Sequence, residues 1–440
     1  MTASSASDSS PAPKRKGPIE DLKDTLAALK AVKPGFWTCL LVFMLDGAAY
    51  FGVLNILTLH LSKAIGLDDA RAGQFVAIFL TGAVTILAAV FGFLVDRWGV
   101  KKTMIITIAV ALAGRSLLAL APSLPFAAPI SAVALLMMAF AAGLLQSAVY
   151  GGVKLATDER SASVGFSLVY AMMNAGVILE SMVSSPVRAA YGTTGVMWMC
   201  AAITLTYLVL ALRFPDSTGG PVAPGADAKE PLMTRIKGML DARFLFFIFV
   251  LLGVRTLFAH QWLTMPHYVT RAYPAEVGEK FEWINALNPL IIVIGTPLVA
   301  AFTRHVHVVT MMLLGTLVSA SATFLLVPGP NLTALLLYVT IFSIGEALWS
   351  SRFYEYVADL APPDKVGIYM GWASIPWFLA KTTTGMYSGV MLKAYCPEGG
   401  PFDTGTMWLI YAVIGMTSPV GLLLAMKWLK AGVHHKPAAA

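Results

Sequence analysis

Charge is scarce in this chain. Asp, Glu, Lys and Arg make up 12% of its 440 residues, against the quarter usual for a soluble domain, while 57% are hydrophobic. Cysteine is scarcer still. Of the three, Cys39 and Cys200 fall inside apolar runs and Cys396 stands alone in a predicted loop, so no disulfide framework follows. Period-two alternation is missing, which excludes a membrane β-barrel. Also missing are zinc-ligand spacings, a phosphate-binding glycine loop, Gly-x-Ser-x-Gly and His-Glu-x-x-His. A membrane enzyme would need a convergent nucleophile or metal set near one face. None is present, so we expect no enzymatic activity and no cofactor.

What is there is apolar length. Runs of about 20 residues recur along the whole chain and predict a polytopic helical membrane protein. Twelve spans can be placed, at roughly 36–62, 72–95, 103–121, 129–153, 162–188, 193–213, 244–268, 282–303, 308–327, 331–358, 366–392 and 406–430. The stretch 215–231 is rich in Gly, Pro and Ala and reads as a flexible linker between six spans and six. The expected organisation is a tail with a surface helix (1–35), a six-helix bundle (36–213), a linker (214–243), a second six-helix bundle (244–430) and a short tail (431–440). Residues 1–16 lack an apolar core and do not read as a secretory signal.

The formal net charge of +7 invites a nucleic-acid reading, but its distribution argues for topology instead. About 21 of the 31 Lys and Arg fall in the loops on the side of the termini, and about six on the other. Arg115, Arg255, Arg352 and Lys381 lie inside spans. The positive side should be cytoplasmic. We therefore expect a multi-pass protein of the plasma membrane with both termini inside, working as a monomer in the lipid bilayer and binding no nucleic acid.

The loop after span 2 reads Gly92-Phe-Leu-Val-Asp96-Arg97-Trp-Gly99-Val-Lys101-Lys102. A purely topogenic loop would account for the lysines, but not for an acid and two glycines at this spacing. Gly92 and Gly99 suit close helix approach and a tight turn. Asp96 is placed to pair with Arg97 or the lysines, or to meet a helix N-terminus such as that of span 11. This pattern resembles the loop signature of the major facilitator superfamily. The resemblance implies twelve spans in two bundles, a solute pathway between them, and a loop that stabilises the state closed to the cytoplasm. A weak repeat at 303–310, offset by about 207 residues, is consistent with two related halves.

Four further segments resemble the proton-coupled oligopeptide transporters. They are Ile284-Asn-Ala-Leu-Asn288-Pro289 in span 8, Gly345-Glu346 with Leu360-Ala361-Pro362 in and after span 10, Arg160 through Tyr170, Asn174 and Gly176 at span 5, and Asp46-Gly-Ala-Ala-Tyr50-Phe51-Gly52 in span 1. The departures are also informative. The family's span 1 arginine is Gly47 here, its span 4 lysine aligns with Gln146, and its span 7 carboxylate has no counterpart between Phe244 and His267. Ordinary di- and tripeptide uptake is therefore in question.

A charge inside a span costs about 2.5–3.5 kcal/mol on insertion scales, so it needs a partner or a wet cavity. Glu346, with Ser343 and Ser350 on its face, and Asp46 are the candidate proton-coupling residues. The structural alternative is a fixed ion pair or hydrogen bond. Ser374, Trp377, Lys381, Thr384 and Ser388 give span 11 one polar face, from which Lys381 can hold an anionic group or pair with Glu346. Arg255 is a candidate carboxylate clamp. Tyr50, Gln146, Asn174, Asn285, Asn288 and Trp377 are candidate cavity-lining groups, with interhelical hydrogen bonding the alternative. Glu180 and Arg115 have no assigned role, and Arg352 with Glu355 reads as a gate or structural pair. The expected function is proton-coupled symport of a small organic solute bearing an anionic group, peptide-like or amino-acid-like by preference. A proton-driven exporter, an uncoupled facilitator and a solute sensor are the competing readings.

Overall fold

The computed structural model describes residues 32–157, 162–215, 241–303, 306–360, 369, 372–373 and 375–431. The described secondary structure is helical, and ten helices are long and apolar enough to cross a bilayer. The expected surface helices ahead of span 1 and at 233–240, and most of the linker, lie outside the described residues.

Helix α1 (Pro34–Lys63) starts on a proline, whose fixed φ and missing N–H suit the first turn. Helix α2 begins at Asp69, runs through a π-helical stretch (Val76–Gly82) and ends at Phe91. Its first turn is capped by Asp68, which accepts from the Arg71 amide at 3.1 Å. Helices α3 (Val100–Leu120) and α4 (Ala127–Ala156) follow.

The run Ala162–Leu212 is 51 residues, about 75 Å at 1.5 Å per residue and far longer than one crossing. It is broken at Gly192, where φ is +65°. We call the arms α5 (162–191) and α6 (193–212). Both return to the same level of α1: a Cβ added at Gly52 would meet Cys200 Sγ of α6 and the Glu180 side chain of α5 at 2.8 Å each. The loop expected between spans 5 and 6 is thus reduced to a turn. Glycine supplies the left-handed φ there without the Cβ penalty.

Helix α7 (Ala242–Leu263) is followed by the short helices Met265–Ala272 and Phe281–Asn285, then by α8 (Leu287–Thr303) and α9 (Val308–Ala322). Helices α10 (Leu332–Leu360), α11 (Ile375–Tyr395) and α12 (Thr404–Lys430) complete the order. Helix α11 is not among those ten, and its buried residues include Lys381, Thr384 and Ser388.

Two apolar cores form. One joins residues from Phe36 to Phe214, the other residues from Phe244 to Leu429. The first also takes in Ala259 and Leu263, with Trp262 and Phe378 packed against it, so α7 and α11 lie along the seam between the halves. Glycines set the closest approaches. A Cβ at Gly176 would meet the Met44 carbonyl at 1.9 Å, which locks α5 on α1. At the seam, Gly73 of α2 lies against the Gly385 carbonyl, and Gly389 of α11 against the Asp69 carbonyl. The chain's described ends share one end of the molecule, where the Lys33 amide donates to Ala156 and the Tyr356 hydroxyl to the Leu429 carbonyl. We call the opposite end distal.

Candidate functional site

Three polar groupings occupy the interior. The first belongs wholly to the N-terminal half. Asp46 of α1 is paired with Arg115 of α3 at 3.3 Å and accepts from the Tyr207 hydroxyl of α6 at 2.8 Å. Arg115 also donates to Thr204 (2.6 Å) and Tyr207 (2.5 Å). Asp46, expected as a proton-coupling residue beside Tyr50, is therefore held in a four-residue network, and Arg115 acquires a role the sequence left open. Tyr50 is half-buried, edge-on to Phe51.

The second grouping centres on Glu346 of α10. Asn288 of α8 donates to its carboxylate at 2.7 Å and to Ser343 Oγ at 3.0 Å. The side chains share one face of α10 because positions 343 and 346 are three apart. Glu346 and Asn288 remain half-buried. Asn285, three positions before Asn288, donates instead to Asn55 of α1 at 3.1 Å.

The third grouping is aromatic and cationic. The Lys381 ammonium is 4.8 Å from the ring centre of Trp377, one turn earlier on α11, and 5.0 Å from that of Trp262 on α7. The two indoles stand nearly perpendicular, 6.1 Å apart. Arg255, also on α7, lies 4.4 Å over Phe353 and 5.8–5.9 Å from Trp377 and Trp349. Both cations are over nine-tenths buried. Ring faces carry negative potential and attract cations. Lys381 and Glu346 make no ion pair.

Polar contacts sew the distal ends of the halves together. Asp69 accepts from Arg271 through both oxygens, each at 2.7 Å, and Arg271 donates a further bond to the Cys396 carbonyl at 3.0 Å. Arg188 grips Glu282 in a two-pronged pair and donates to the Gly278 and Glu279 carbonyls at 2.8 and 3.2 Å. Ser185 donates to the Glu279 carbonyl at 2.5 Å and Trp283 to Met182 at 3.2 Å. Nearer mid-depth, Thr58 reaches the Trp262 carbonyl at 3.4 Å. The Cys396 thiol beneath this clasp is pushed up to about 11 by burial, which keeps it in its unreactive neutral form.

The four clasp charges were not singled out in the sequence. A signal was present: Arg188 and Arg271 are two of only about six basic residues on the charge-poor side. Other expected residues stay apart from the seam groupings. Gln146 is exposed on α4, and Asn174 spends its amide on the Tyr170 carbonyl of its own helix at 2.9 Å. Arg352 pairs with Glu355 at 2.5 Å and donates to Thr303 at 3.0 Å. In the 92–102 segment a short helix (Phe93–Trp98) is followed by Gly99 at φ +75°, a turn that needs glycine. Gly92, at φ −54°, uses no such freedom. Arg97 and Lys102 are exposed and Lys101 is half-buried. The Asp96 side chain and Ser374 lie outside the described residues, as do Arg160, Ala361 and Pro362. Among the described residues no cluster of His, Cys, Asp or Glu could hold a metal ion.

Comparison with known proteins places this geometry. Two transporters of Bacillus subtilis (strain 168), both described as uncharacterized and MFS-type, are similar: YqjV at 24% identity over 78% of this chain and 82% of its own, and YttB at 24% over 79% and 85%. Among solved structures, a peptide transporter POT in complex with sulfate matches 93% of this chain and 99% of its own with a TM-score of 0.74, at 16% identity. The nucleoside transporter NupG matches 89% and 99% with a TM-score of 0.75, also at 16%. At such identities these structures share the fold. Residues 39–382 match the Major Facilitator Superfamily, and the chain, an integral multi-pass membrane protein, belongs to that superfamily of transporters.

Proposed function

We propose that this protein is a secondary transporter that moves a small organic anion by alternating access, with twelve crossings arranged as six and six. The observation that carries this reading is the placement of charge along the seam. Buried ion pairs close the distal end, while Glu346 and Lys381 sit half-buried to buried farther along the same seam. Closure at one end above an interior polar site is the geometry that rocking two halves around a solute requires. With the lysine-rich side in the cytoplasm, the clasp faces outside and the site is approached from within.

Lys381 and Arg255 are the anion-holding groups in this reading, with Trp377 as wall. The solute is peptide-like, amino-acid-like or another anionic metabolite. Glu346 is the proton-coupling residue. Its carboxylate is partnered by a neutral amide rather than a cation, so gaining a proton breaks no ion pair. Asp46 takes second place because its charge is already matched by Arg115. The 92–102 loop acts as the gate on the side of the termini.

The test is uptake by purified protein in liposomes, with and without an inward proton gradient, across peptides, amino acids and organic acids. Gradient-stimulated uptake that Glu346→Gln abolishes is the expected result. Uptake indifferent to the gradient would leave a facilitator and a structural Glu346.

A further inference from the structure

Four acidic side chains at mid-depth or at the distal end are already engaged. Asp46 is bound to Arg115, Glu346 to Asn288, Asp69 to Arg271 and Glu282 to Arg188. Glu180 lies between α1 and α6, beside Gly52 and Cys200. Lys381 is left as a cation that is 93% buried by its neighbours, touches two indoles, and among the described residues makes no hydrogen bond or ion pair. Attraction to ring faces offsets only part of the cost of burying an ammonium without a counter-charge. An anion is the missing complement.

We propose, building on the reading of the seam as a solute pathway, that the Lys381 site takes an aromatic monocarboxylate. Its carboxylate meets the Lys381 ammonium and its ring enters the Trp262–Trp377 corner. The charge follows from the donor at the corner. Arg255, the other cation against Trp377, lies over the Phe353 ring, so at the Trp262–Trp377 corner a single ammonium matches one carboxylate, whereas a phosphate brings three acceptor oxygens and more charge. The body follows from the walls. The ammonium touches Trp262 and Trp377, and behind these pack Phe51, 5.9 Å from Trp262, and Phe258, 5.9 Å from Trp377. Such walls offer ring faces and edges in place of hydrogen bonds. A peptide entering here would bury amides without partners, at a cost that a hydrocarbon ring avoids. Perpendicular indoles suit a flat ring, which meets one edge-on and the other face-on.

The position also gives the ligand leverage. Trp262 packs on Phe51 of α1, and its carbonyl accepts from Thr58, so it belongs to the contact with the N-terminal half. Trp377 packs on Phe258 within the C-terminal half. A ring seated against both indoles at the open side of their corner touches both sides of the seam.

The experiment is a titration of the purified full-length protein, followed by tryptophan fluorescence, with phenylacetate, phenylacetamide and cyclohexylacetate. Phenylacetate is expected to give a saturable change. Phenylacetamide, lacking the charge, and Lys381→Gln should each weaken binding about 10- to 100-fold, the value of a charge-assisted contact. Lys381→Arg should restore it. A thermal melt of each variant confirms folding. No saturable response to phenylacetate, or equal binding by phenylacetamide or by Lys381→Gln, overturns the proposal. Cyclohexylacetate binding as well as phenylacetate overturns its aromatic part. Liposome uptake separates the two readings. Binding of phenylacetate without its transport would sink the transport cycle and leave the site. Uptake of a dipeptide untouched by Lys381→Gln would do the reverse.

Discussion

Two interior charged sites, one in each half, are built in opposite ways. In the N-terminal half, Asp46 and Arg115 neutralise each other inside a network completed by Tyr207 and Thr204. In the C-terminal half, Lys381 leans on aromatic rings and Glu346 on an amide. A matched pair is committed to the fold, because removing one partner strands the other. An unmatched ion is a burden on the fold that persists for something else. The two sites can thus be told apart by what deletion of one charge does to stability.

The largest effect should come from Arg115→Met. It leaves Asp46 without its cation, and should cost about 3–5 kcal/mol, read as a fall in the detergent-solubilised melting temperature. The double variant with Asp46→Leu should recover most of that loss. A melt unchanged by the single substitution would erase the contrast. Next comes Arg271→Ala at the distal clasp. Asp69 keeps about a seventh of its side-chain surface open, so water softens the loss to about 2 kcal/mol. Spin labels on the distal ends of α2 and α11 should move apart in this variant. Lys381→Met belongs to the other category. Its melting temperature should stay within about 1 kcal/mol of the native protein or rise, since an unpaired buried ion is replaced by a side chain of similar length. A drop as large as that of Arg115→Met would show that Lys381 is structural. The smallest effect is expected from Arg71→Ala, whose pair with Asp68 is mostly open to solvent, at about 0–0.5 kcal/mol.

Much of the helix plan was legible because apolar length and charge bias are local properties. The turn at Gly99 was legible for the same reason. The start of α2 was placed at 72, three residues late, although Asp68 is a recognisable N-cap and Asp69 follows it. That offset hid one arm of the clasp. The chain also concealed the partner of Asp46. Both charges stood out as intramembrane ions, but they are 69 residues apart, and only the order of helices within the bundle brings α1 and α3 together. Asn285 and Asn288 show a different failure. Positions three apart lie on one side of a helix, but here that side meets α1 at one residue and α10 at the other. Helical periodicity names a face, not the neighbours it meets. Lys381 was legible as a polar stripe, whereas its aromatic cage depends on a tryptophan from another helix, 119 positions away.

Where α2 meets α11, main chain lies against main chain, Gly73 against the Gly385 carbonyl and Gly389 against that of Asp69, with only small side chains such as Ala77 and Ser388 beside them. Interlocked side chains would act as teeth, so that one helix could pass another only in steps of a whole turn. Peptide planes touching at three glycines present a nearly smooth bearing. Such a bearing resists being pulled apart through the charges beside it, but offers little friction to rolling.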